Sequence, residues 1–61
     1  MTTIESAERI VDIAALLRTN AVLPEQREIL CAEQSRLWEA EYPNRPFEVI
    51  AHDAWLLRSY R

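Results

Sequence analysis

The chain contains no glycine, and its three prolines stand at positions 24, 43 and 46. Its turns must therefore form without the residue that enters left-handed backbone most readily. Proline disfavours helical geometry in the residue before it. It suits the first turn of a helix, where its missing N–H costs nothing. The prolines thus act as punctuation, and they separate three segments with helical periodicity. The predicted fold is a single all-α domain over 1–61, a small three-helix bundle with helices at about 3–19, 24–41 and 46–60.

A chain of 61 residues forms at most one domain. It buries only about 60% of the surface that its unfolded form exposes, and such a core supplies roughly 3–5 kcal/mol. The single cysteine, Cys31, forms no internal disulfide, and one cysteine with one histidine does not furnish a closed zinc site. Stability must come from regular helix packing or from burial against a second chain.

In the first segment, Thr2 and Glu5 have the spacing of a capping box. At 100° per residue, Ile4, Ala7, Ile10, Val11, Ala14, Leu17 and Ala21 share one face, and Glu5, Glu8 and Asp12 share the other. Ile13 widens the apolar arc beyond the stripe of roughly 100° expected for a surface helix. Leu16 falls on the charged side and Arg18 on the apolar side, while Thr19 and Asn20 favour a turn.

In the second segment, Pro24 opens a helix whose central face carries Ile29, Leu30, Leu37 and Ala40, with Glu33 in its middle. Trp38, Cys31 and Tyr42 form a separate strip. Arg18 and Glu33 are thus the charged exceptions on two apolar faces. Burying either alone is costly, so they are expected to pair; the alternative is that Arg18 reaches solvent from the helix end.

The stretch Tyr42-Pro43-Asn44-Arg45-Pro46 stops the second helix and starts the third. It predicts Asn44 or Arg45 as the cap of the third helix, with Pro46 in its first turn and Arg45 held outward. The third segment is apolar nearly all round. Phe47, Ile50, Ala51, Ala54 and Leu57 form one arc, and Val49, Leu56 and Tyr60 form a second. Two neighbouring helices cannot cover both arcs completely.

The net charge is −3, and the seven basic residues are all arginine. That balance disfavours a nucleic-acid-binding tail or a membrane-surface helix. No stretch approaches the roughly 20 apolar residues of a membrane span. The acidic start lacks the pattern of a signal peptide, and with the lone thiol this predicts a cytoplasmic protein.

Catalytic signals are sparse. Glu48 and His52 have the spacing to pair on one helix face, but no nucleophile completes an arrangement for proton transfer. Carboxylate-bridged di-metal sites in bundles need Glu-x-x-His motifs; here three residues separate Glu48 from His52. Cys31 lies too far into its helix for full activation and is expected to be a small packing residue. The chain is therefore read as a non-enzyme without cofactor or metal. Its expected role is that of a small binding or regulatory protein, or a minor subunit, acting through an apolar helical surface. The expected partner is another protein chain, most simply a second copy in a homodimer. The expected contact residues are Leu16, Trp55, Leu56 and Tyr60, rimmed by Arg45 and Arg58. The alternative is a helix-turn-helix-like nucleic-acid-binding regulator, with Phe47, Glu48 and Ile50 toward the groove; a leading glutamate and few cations oppose it.

Overall fold

A computed structural model describes residues 3–60. It consists of three helices: α1 over Thr3–Leu17, α2 over Pro24–Glu41 and α3 over Phe47–Ser59. The three-helix bundle predicted from the sequence is the fold. The capping box at Thr2 lies outside the described residues.

The helices have unequal roles. α1 is the central element and packs against both α2 and α3. Its buried side chains are Ser6, Ala7, Ile10 and Ile13. Opposite them α3 buries Ile50 and Ala54. Ala7 and Ile10 of α1 cluster with Ile50 and Ala54 of α3. Tyr42, just beyond α2, completes the cluster, with Val11, Leu37, Trp38 and Phe47 packed around it. Full burial of one isoleucine stabilises the fold by about 1.5–3 kcal/mol.

By contrast, none of the described residues of α2 is buried. Polar fasteners hold it to α1. The Arg9 guanidinium meets Glu33 through two hydrogen bonds, Nε to Oε2 at 2.5 Å and Nη2 to Oε1 at 3.1 Å. Gln34 Nε2 donates to the Ile10 carbonyl at 3.2 Å. This arrangement corrects the expected Arg18–Glu33 pair. α1 ends at Leu17, so Arg18 lies exposed in the turn, while Glu33 lies opposite Arg9. The hydrogen bond from Arg9, with the guanidinium charge, pulls the Glu33 carboxyl below its ordinary range. The same bond pushes Arg9 upward.

Both connections close without glycine. After α1, Thr19 N donates to Leu16 O at 3.1 Å, and Thr19 Oγ1 donates to the same carbonyl at 2.8 Å. Arg27 then reaches back from α2 to Leu17 O at 2.8 Å and Thr19 O at 3.3 Å. These bonds satisfy carbonyls that a helix end leaves open. After α2, Tyr42 N donates to Trp38 O at 2.7 Å, and Arg45 N donates to Tyr42 O at 3.2 Å. Asn44 takes the left-handed conformation, φ 61°, the role that glycine would otherwise fill. The Trp38 indole N–H closes the loop on Arg45 O at 2.9 Å.

Neither Asn44 nor Arg45 caps α3. Pro46 is the N-cap, without a side-chain cap bond, and its carbonyl accepts from Val49 N at 3.2 Å. Pro46 keeps extended backbone, ψ 161°, so the helix starts one residue later than the proline pattern predicts.

Candidate functional site

The segment between α1 and α2 is apolar where a solvent-facing turn has no need to be: Ala21, Val22 and Leu23 precede Pro24. Arg27 draws this segment against α2 by its bonds to Leu17 O and Thr19 O. Val22 turns partly inward, while Leu23 remains 57% exposed. The result is an open groove of about 280 Å³ lined by Leu16, Val22, Gln26, Ile29 and Leu30. Four of these five side chains are aliphatic, and the Gln26 amide is the one polar group. Ile29 is 64% exposed at the groove's edge. Apolar surface of this kind, bordered by polar residues, is the usual character of an interaction site.

The expected contact residues divide between this groove and α3. Leu16 lines the groove, whereas the other five residues do not. Trp55 is 61% and Tyr60 87% exposed on and just after α3. Leu56 is half-buried. Arg45 is exposed in the loop, with its carbonyl held by Trp38. Arg58 is exposed but engaged, donating to Asp12 Oδ1 at 2.7 Å and lying 3.9 Å from Glu8 Oε2. That cation therefore serves the α1–α3 contact. Val49 of the second α3 arc is also exposed.

The candidate chemistry disperses. His52 stacks on Trp55, with ring centroids 6.1 Å apart and planes at 23°. No ion pair joins His52 to Glu48 among the described residues. Ser59 Oγ donates to Trp55 O at 3.0 Å, which is a local helix bond. Cys31 is exposed, contrary to its expected packing role, because α2 turns Leu30, Gln34 and Leu37 toward α1 instead. Among the described residues, no three His, Cys, Asp or Glu side chains form a group able to hold a metal. None of the described helices is long and apolar enough to cross a membrane.

A part-buried polar contact joins the Tyr42 hydroxyl, as donor, to Asp53 Oδ2 at 2.6 Å. Burial, followed by this bond and the nearby carboxylate, pushes the phenol far above its ordinary value. This pair ties the end of α2 to α3.

Comparison with protein-family models, curated proteins and solved structures gives no match.

The periodicity of the segments did not single out Val22, Leu23, Gln26 or Ile29 as surface-forming residues. The signal was the apolar run before Pro24. Helical periodicity puts Ile29 on the central face of α2, but the side turned toward α1 carries Leu30, Gln34, Leu37 and Trp38. Ile29 and Ala40 fall outside it and are exposed.

Proposed function

We propose that this chain is a small, non-catalytic binding or regulatory protein that associates with another polypeptide through an apolar helical surface. A second copy of the chain is the simplest partner. The observation that carries this reading is the groove between α1 and α2, with Leu16, Val22, Ile29 and Leu30 on its walls. α2 meets the core through half-buried side chains such as Leu37 and Trp38, and burial against a partner would cover its exposed apolar residues. Trp55 and Tyr60 add large amphipathic side chains of the kind that anchor interfaces, and Arg45 lies exposed at the loop. The lone thiol fits a cytoplasmic setting.

The test is solution mass by sedimentation from low to high micromolar protein, with melting curves at the same concentrations. Association linked to folding raises the melting temperature with concentration. A chain that stays monomeric throughout, with a concentration-independent melt, overturns self-association.

A further inference from the structure

α2 carries a second pattern on its outward side. Glu25, Ile29, Ala32 and Arg36 follow one another at spacings of four, three and four residues, and all four are exposed. This is the spacing of a coiled-coil seam. The strip begins with an acid, ends with a base, and has one large and one small apolar residue between them. Such an order is complementary to its own reverse.

We infer that two copies of the chain pair through α2 in an antiparallel, twofold arrangement whose axis crosses the helices between Leu30 and Cys31. In that register Glu25 meets Arg36 of the second copy, and Ile29 meets Ala32 of the second copy. Each contact occurs twice because the interface is isologous. Ala32 leaves room for Ile29, as large-to-small matching requires across a helix pair. A parallel pair in register would instead set Glu25 against Glu25 and Arg36 against Arg36. Charge therefore selects the antiparallel direction, and the helix dipoles favour it as well. Ile29 also edges the groove, so the seam runs beside Leu16 and Val22.

The pairing is weak by construction. One face of an 18-residue helix covers less than the roughly 800 Å² per partner of a standard interface. Glu28 and Glu39 border the strip and add like charge. The association belongs in the micromolar range and loosens with added salt.

This inference rests on the self-association reading above, and charge exchange separates the two. Sedimentation equilibrium is run on the full chain as wild type, Glu25→Arg, Arg36→Glu, and an equimolar mixture of the two variants. Each variant alone should associate about tenfold more weakly than wild type, since two attractive contacts become repulsive. The mixture should recover association, because a mixed pair sets two arginines of one chain against two glutamates of the other. Two misfolded variants would not rescue each other, and circular dichroism of each confirms its helices. If wild type associates while the variants match it, or the mixture fails to recover, the α2 seam is wrong and self-association stands. If wild type does not associate, the underlying reading is wrong as well.

Discussion

α1 and α2 are helices of similar length in one small domain, yet they are held in opposite ways. α1 places four side chains in the interior, Ser6, Ala7, Ile10 and Ile13, each at most 1% exposed. α2 places none of its residues there. It is attached by Arg9–Glu33, by Gln34 on the Ile10 carbonyl, by Arg27 on the end of α1 and by the half-buried Leu37 and Trp38. A helix buried by apolar packing is committed to the monomer. A helix fastened by polar contacts and half-buried side chains leaves its other side exposed.

The strongest challenge to this contrast is one substitution made in both helices. Ile10→Ala removes a fully buried side chain and should cost about 2–5 kcal/mol, comparable to the whole stability of a domain this size. Ile29→Ala in the monomer should change stability by less than about 0.5 kcal/mol, the usual range for an exposed site. Denaturant titration at low protein concentration measures both. Equal costs would erase the distinction between the helices.

The junction of α2 with the core comes next in magnitude. Tyr42→Phe removes the bond to Asp53 and should cost about 1–2 kcal/mol. The pH dependence has a definite sign. The folded-state phenol titrates above its ordinary value of 10.0, so its contribution is fully present below pH 10. It is lost as the pH rises further and the unfolded phenol ionises first. Wild type should lose stability above pH 10 more steeply than Tyr42→Phe. Parallel alkaline profiles would mean that folding does not raise the phenol's pKa.

The Arg9–Glu33 fork sharpens the account of how α2 is fastened. With 41% and 32% of the side chains exposed, solvent screening limits its coupling to about 0.5–1 kcal/mol. A double-mutant cycle with Arg9→Met and Glu33→Met measures it. The Glu33 pKa is depressed, so the contribution is present above the ordinary carboxylate value of 4.5 and fades as the pH falls through the lowered one. It should also shrink in high salt. Additive single mutants would remove this fastener from the account. Smaller still, Arg45→Ala should change stability by less than about 0.5 kcal/mol, because the loop contact that involves Arg45 uses its backbone carbonyl.

Much of the fold was legible in the chain. Pro24 and Pro43 bracket α2, and the apolar period of α1 placed Ala7 and Ile10 in the core. Side-chain partners between helices were not legible, because they depend on how far one helix slides along another. Glu33 required a cation, but the sequence does not say whether Arg18 or Arg9 lies opposite it. α3 starts one residue beyond the proline pattern because Pro46 keeps extended backbone, an option that proline spacing does not reveal. For the candidate site, Leu16 stood out as an apolar residue on a charged side. Ile29 did not, since α2 mixes polar and apolar residues at every period. Its outward strip becomes visible only when the inward one, Leu30 to Trp38, is known.

α2 is fastened to the core, and we propose that its outward face meets a second copy. Residue-resolved amide hydrogen exchange at low and high micromolar protein tests it most directly. Local openings report how each element is held, and association stabilises the element that it covers. The account predicts that at low concentration α2 amides exchange faster than those of Ile10, Ile13, Ile50 and Ala54. It predicts that α2 amides gain the most protection as concentration rises. Protection of α2 equal to that of α1 and α3, and unchanged by concentration, would contradict it.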